Sequence, residues 1–392
     1  MHKVVNNCRC CGSEDYIEYL DLGDQPLANS YHKGEVLPTY PLRVRLCTNC
    51  YLSYLSVVVD PDDMFRNYLY VSGTTATLRN HWKELAADAV SRVGVGKVLD
   101  IACNDCMPLE QFRDLGCEVL GVDPAINLRE ISKQKNIDVI VDYWKPGLVE
   151  DESFDIITAA NVVGHTDDVK SFLEIAKSAI KPNGIIIIEF PYAKHIFDNV
   201  AFDQFYHEHV SEFIIHAFYR LLNRVDLKVD DIMLTPIHGG SIRFFLKKNL
   251  EDHCDKLYEM IHAEGGAGLL KKETYLAYGA RVNKNRDDLV KLAHKVGDIV
   301  AFGASAKGNT MLNYFKLKFK YVVDDNSMKW GLFTPGMDIA ICDPNDLAKE
   351  PNDLHIVLTA WNFAKEIKEK VRRIRGHNRD KFVFYVPNVR IE

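Results

Sequence analysis

Cys8-Arg9-Cys10-Cys11 and Cys47-Thr48-Asn49-Cys50 each set two thiols three positions apart, near the start of the chain. Each tight turn aims two thiolates at one point, and the roughly forty residues between the turns let the second pair complete a tetrahedron around Zn²⁺. Cys8, Cys11, Cys47 and Cys50 are the expected ligands of a zinc ribbon, with Cys10 as a spare thiol. The alternative is a group of unrelated buried cysteines. Four thiolates leave no coordination position for water or substrate, so a site of this kind is a structural staple for a small N-terminal module. The chemistry belongs elsewhere in the chain.

At 392 residues the chain is longer than one core supports, and two or three domains are expected. A formal charge of -7 argues against a broad nucleic-acid or membrane-binding surface. The longest apolar runs, such as Gly184-Ile-Ile-Ile-Ile188, are strand-sized, and Met1 to Asn7 carries no apolar leader core. These features point to a cytoplasmic protein. Ten cysteines fit that compartment if four hold metal and the rest, Cys254 and Cys342 among them, stay reduced.

A helical pattern through Leu78, Trp82, Leu85 and Ala89 ends at Gly94 and Gly96. From Lys97 strands and helices alternate: strands at 98–101, 118–123, 154–158 and 184–190, helices near 109–115, 128–135 and 169–180. A second alternation runs through 298–302, 321–324, 354–358, a helix near 362–372, and 381–386. Alternation of this kind specifies doubly wound parallel sheets. The fold class is therefore α/β, with a zinc-binding domain over 1–72, one Rossmann-like domain over 73–250 and another over 251–392. The charged segment 251–294 reads as long helices and a linker.

Three places carry chemistry. The strand at 98–101 runs into Ala102-Cys103-Asn104-Asp105-Cys106 and the next ends on Asp123, an arrangement that suits S-adenosylmethionine or a dinucleotide at the carboxyl ends of the strands. The plain alternative is a βα turn with a strand-ending aspartate, and Cys103 with Cys106 also permits a redox reading. Second, Tyr206-His207-Glu208-His209 follows the strand at 184–190, and His165 follows the strand at 154–158, which places proton-transfer groups at the same sheet edge. A helix-capping loop is the alternative; a metal reading of His207, Glu208 and His209 lacks a third-ligand spacing. Third, Gly303-Ala-Ser-Ala-Lys307-Gly308-Asn309-Thr310 presents backbone N–H groups and one lysine at a helix start, a combination suited to a diphosphate, while Asp324 ends the next strand.

Taken together, these segments resemble the sugar C-methyltransferases, which methylate carbon 3 of thymidine-diphosphate-linked 4-keto-6-deoxysugars. The resemblance is carried by Cys8 to Gly12, Asp21-Leu-Gly-Asp-Gln-Pro-Leu-Ala-Asn29, Tyr68-Leu-Tyr70-Val-Ser72 and Tyr206 to His209. It extends through Gly303 to Thr310, Gly331-Leu-Phe-Thr-Pro-Gly336 and Ala360-Trp-Asn-Phe363. It implies S-adenosylmethionine in the central domain, held by Asp100, Ala102, Asn104, Asp105, Asp123 and Asn161, zinc at the front, and a nucleotide-diphosphate 4-ketosugar. It also implies His209 as base, Glu208 as its orienting partner, and Tyr206, His165 and Tyr70 around the ketone. Tyr68, His238, Gly240, Ser305, Lys307, Asn309 and Asp324 would contact the substrate. Ala102, Cys103 and Cys106 stand where the family usually has Gly, Ser and Gly, so Ala102 is expected to keep a negative φ. An enolising epimerase, an isomerase or an inactive paralogue without a methyl donor, and a zinc-ribbon nucleic-acid module, are the competing readings. The sequence leaves the oligomeric state open, a monomer included.

Overall fold

A computed structural model describes residues 1–68 and 76–392. The central sheet owes its position to a run of isoleucines. Ile185, Ile186, Ile187 and Ile188 are all buried, because helices cover both faces of a parallel sheet and leave neither side to water. Their strand, Ile180–Pro191, pairs in parallel with Phe154–Ala160 and antiparallel with Ser241–Lys247. The full order is Lys228–Thr235, Ser241–Lys247, Ile180–Pro191, Phe154–Ala160, Lys97–Ile101, Glu118–Val122, Val139–Ile140. Only Ser241–Lys247 runs against the rest. The helices fall at Ala76–Val93, Met107–Asp114, Arg129–Gln134, Val169–Ala179 and Ile215–Val225. Asp168 caps one of them by accepting from Ser171 N at 3.0 Å.

The C-terminal sheet has the order Ile341–Cys342, Val322–Val323, Ile299–Phe302, His355–Leu358, Lys381–Phe384, Arg390–Ile391, parallel except for the last strand. Two helices, Asp255–Gly266 and Lys272–Val296, fill the charged segment between the two sheets. No helix among the described residues is long and apolar enough to cross a membrane.

The N-terminal module is an antiparallel sheet of Tyr16–Gln25, Tyr40–Cys47 and Ser53–Leu55, and its fourth strand is Ser211–Glu212 from the central region. The helix that follows this strand therefore starts only at Ile215. His32 and Phe333 form a bridge that ties the same module to the C-terminal sheet's loops. At the junction Tyr19 packs edge-on to Phe197, Phe205, Tyr275 and Tyr278. Gly279 makes that junction possible: a Cβ there would stand 2.2 Å from the Tyr19 carbonyl oxygen. One contiguous apolar core thus runs through all three regions directly beneath residues 205–209.

Candidate active site

The four sulfurs of Cys8, Cys11, Cys47 and Cys50 lie within 4.8 Å of one another. Cys8 and Cys50 are 3.5 Å apart, as are Cys11 and Cys47. A tetrahedral Zn–S₄ site with bonds of about 2.3 Å has sulfur–sulfur edges of about 3.8 Å, so the donor set fits zinc. Cys10 stands outside this set of four, and its S–H meets the carbonyl of Ala217 at 3.0 Å.

Ala102, Asn104 and Cys106 all adopt left-handed backbone, with φ of 61°, 49° and 62°. The expectation of a negative φ at Ala102 is thus overturned. The chain must reverse within five residues between the strand at 97–101 and the helix from Met107, and Ala102 N donates to Val122 O at 2.7 Å to hold that reversal. A left-handed residue bearing a Cβ costs about 1–2 kcal/mol, which is why glycine is usual there. Cys103 and Cys106 are buried, with sulfurs 4.0 Å apart, and Cys103 packs where a Cβ on Gly121 would approach its sulfur to 2.5 Å. The Cys106 contact and burial raise the Cys103 pKa, so the Cys103 thiol is a packing group rather than a reactive thiolate.

Asp123 Oδ2 accepts from Asn104 N and Oδ1 from Ala125 N, both at 2.8 Å, which braces the loop and leaves further lone pairs on each oxygen. Asp100 lies beneath it, accepts from the Thr158 hydroxyl at 2.6 Å, and is pushed up to about 7 by burial. Lys135 donates to the Asp105 carbonyl at 2.6 Å. Asn161 closes the crevice with a left-handed turn, and its buried Oδ1 has no partner. A strand-ending carboxylate with free lone pairs and an orphaned acceptor suit the polar ends of S-adenosylmethionine.

The second half of the site is built on a turn in which His209 N donates to Tyr206 O at 2.8 Å. The Tyr206 hydroxyl donates to His209 Nε2 at 2.6 Å, and His209 Nδ1 meets Glu212 Oε1 at 2.9 Å. The carboxylate in contact with His209 is thus Glu212, where Glu208 was expected. The physical reason is the strand Ser211–Glu212: pairing with the ribbon sheet turns Glu212 back beneath the imidazole. Glu208 instead accepts from Asn29 at 2.6 Å and from the Tyr68 hydroxyl at 3.1 Å, and burial pushes it up to about 7. Tyr68 in turn exchanges two hydrogen bonds with Asn127, at 2.9 and 2.8 Å, four residues beyond Asp123. The donor crevice and the histidine motif are thus joined through one tyrosine.

The His165 ring lies 4.9 Å from that of His209 and stacks on Phe65. Burial, then the positive charge of Lys307, lowers His209 to about 3, and burial holds His165 well below the usual range. The lowered His209 is a neutral imidazole, while burial raises Glu212 against the lowering pull of Lys307. His207 turns away, edge-on to Tyr40, and burial lowers it to about 4. Among the described residues, His207, Glu208 and His209 form no metal-binding cluster. Tyr70 and the side chain of His238 lie outside the described residues. Gly240, at φ 115°, packs against His195, whose ring a Cβ would meet at 2.3 Å.

Lys307 sits over the Trp361 ring at 5.3 Å, and Trp361 donates to Asp203 at 2.8 Å. Burial lowers its pKa, while Asp203 and Glu212 act the other way, so its charge is directed at the base rather than at an outer loop. Three neighbours expected at the substrate also bond within the protein, although Asn309 Oδ1 is left without a partner. Ser305 accepts from Gly308 N at 3.1 Å as a helix cap. Asn309 is buried and donates to Ala28 O at 2.7 Å, and Asp324 accepts from Ala304 N and Asn326 N at 2.7 and 2.8 Å. Backbone capping and interdomain bonding had first claim on these side chains. Glu212, Asn29, Asn127, Asp203 and Trp361 had no place in the sequence-based set of site residues. Asn29 and Trp361 stand in quoted segments, and Glu212 is three residues past His209, but nothing in spacing alone aims them inward.

Family models match along the chain: a putative zinc binding domain over 8–65, a methyltransferase domain over 78–232, and a C-methyltransferase C-terminal domain over 236–387. C-methyltransferase NovU from Streptomyces niveus is 29% identical over 412 residues, spanning 99% of this chain and 97% of that one. Over nearly its whole length the chain is similar to a C-methyltransferase. The methyltransferase-domain match and the four-cysteine cluster make S-adenosylmethionine and zinc its cofactors. A ubiquinone biosynthesis O-methyltransferase from Rhodopseudomonas palustris (strain TIE-1) is 32% identical over 97 residues, 24% of this chain and 38% of that one. Among solved structures, the PH0226 protein from Pyrococcus horikoshii OT3 is 18% identical, covers 48% of this chain and 96% of its own, and has a TM-score of 0.38.

Proposed function

We propose that this C-methyltransferase removes the C3 proton of a nucleotide-diphosphate-linked 4-ketosugar and methylates the enolate. S-adenosylmethionine, when bound by Asn104, Asp123 and Asn161, supplies the electrophilic methyl group that the carbon takes. The observation that carries the reading is the neutral His209, braced by Glu212 at 2.9 Å and linked through Tyr206, beside His165 and the donor crevice.

In this reading His209 Nε2 accepts the C3 proton and the bonding pair moves into the enolate, which the 4-keto group makes accessible. Glu212 stabilises the imidazolium that forms. Tyr206 hands its hydrogen bond from the base to the ketone oxygen, and Lys307 draws the growing negative charge. Glu208, Asn29 and Tyr68 hold the sugar side of the pocket against the donor crevice.

Mass spectrometry of the purified protein incubated with isotope-labelled S-adenosylmethionine and a panel of nucleotide 4-ketosugars tests this. One labelled methyl on the sugar carbon is the expected product. Methylation on oxygen, or none across the panel, contradicts it.

A further inference from the structure

Arg9, inside the first cysteine pair, has no part in the reaction described above, yet its side chain is only 3% exposed. We infer that Arg9 is a positioning residue for the base, through which the zinc loop fixes the two loops carrying His165 and His209 relative to each other. The inference rests on the reading of His209 as base.

The guanidinium reaches both loops at once. Nε donates to Asp167 Oδ1 at 2.9 Å, two residues past His165. One terminal nitrogen donates to Val210 O at 3.0 Å, the carbonyl next to His209, and to Leu55 O at 3.4 Å. Leu55 N itself donates to Val210 O at 3.0 Å, so the ribbon strand and the arginine grip the same peptide. At the other end, Arg9 lies between Cys8 and Cys11, in a turn closed by Gly12 N and Cys8 O at 2.8 Å. The path from the metal turn to each histidine loop is thus one side chain long.

Stability alone does not explain this residue. Burying a guanidinium carries a desolvation cost, its other terminal nitrogen is buried without a partner, and apolar replacements of buried ion pairs are often as stable. What an apolar side chain lacks is geometry. The planar fork donates in several fixed directions, whereas a lysine ammonium is a point charge that satisfies one acceptor set. Two rings 4.9 Å apart, on loops from different strands, need such a brace, since a displacement of about 1 Å at a reacting group costs about a hundredfold in rate.

The test uses full-length, zinc-loaded protein with ¹⁵N-labelled histidine, its ring signals assigned with His165→Asn and His209→Asn. In Arg9→Lys, zinc stays stoichiometric and the melting temperature changes little. The His165 and His209 ring signals shift or broaden, and C3 proton exchange slows about ten- to a hundredfold at unchanged KM. Asp167→Asn, at a partly exposed partner, gives the same His165 shift and serves if the arginine variant fails to fold. Unmoved ring signals in the folded variants, loss of zinc from folded Arg9→Lys, or a raised KM at unchanged kcat would each overturn the inference. Absence of C3 exchange in the unsubstituted protein would count against the proposed function, while the ring signals would still decide the role of Arg9.

Discussion

Replacing Glu212 with glutamine separates the two carboxylates that flank the histidine. When His209 takes the C3 proton, its imidazolium faces Glu212 across 2.9 Å. With Glu212 taken as ionised opposite the imidazolium, unit charges at 2.9 Å attract by roughly 6 kcal/mol at an effective dielectric of about 20. Glutamine keeps an oxygen for the Nδ1–H but loses the charge, so we take about half of that, ~3 kcal/mol, as the loss in the transition state. Each 1.36 kcal/mol is about tenfold, which gives a rate lower by about 100-fold. The assay is deuterium uptake at C3 of the nucleotide-ketosugar in D₂O, with the donor site filled by S-adenosylhomocysteine so that methylation does not compete. Glu208→Gln is the control, because Glu208 contacts Asn29 and Tyr68 rather than the imidazole. That variant should raise KM more than it lowers exchange. Full exchange in Glu212→Gln, with exchange abolished in Glu208→Gln, would refute the reasoning and return the orienting role to Glu208.

The remaining predictions concern pH, metal and backbone. Because burial and Lys307 lower His209 to about 3, the base stays unprotonated well below the ordinary imidazole range. C3 exchange should therefore show no acidic limb with a midpoint near 6.5, and a limb there would contradict the neutral-base account. The protein should carry one zinc per chain by elemental analysis and lose it in Cys47→Ser; stoichiometric zinc after that change would place the metal elsewhere. Ala102→Gly should relieve left-handed strain, offset in part by a freer unfolded chain, for a net gain of up to about 1 kcal/mol in denaturant unfolding. A clear loss of stability would mean the methyl is a packing group.

Much of the fold is legible in the sequence because it is periodic. The isoleucine run at 185–188 and the alternation of strands and helices state a parallel sheet covered on both sides, and the two cysteine turns state a metal. What the sequence hides is how one region borrows from another. Ser211–Glu212 reads as the approach to a helix, but its hydrogen-bonding partner, Ser53–Leu55, lies some 150 residues earlier, and that pairing decides which glutamate braces His209. Likewise Ser305, Asn309 and Asp324 carry the right groups for a nucleotide, and spacing does not reveal that each also bonds a local amide or Ala28. The left-handed φ at Ala102 is hidden for a related reason: side-chain identity states a preference, whereas the length of the turn imposes the conformation.

The base assignment is tested most directly by deuterium uptake at C3 in His209→Asn, with nucleotide-ketosugar affinity measured alongside. The account predicts that exchange disappears while affinity stays within a few fold of the unsubstituted protein. Exchange at the unsubstituted rate would contradict it and move the proton to another group, with His165 the nearest imidazole at 4.9 Å.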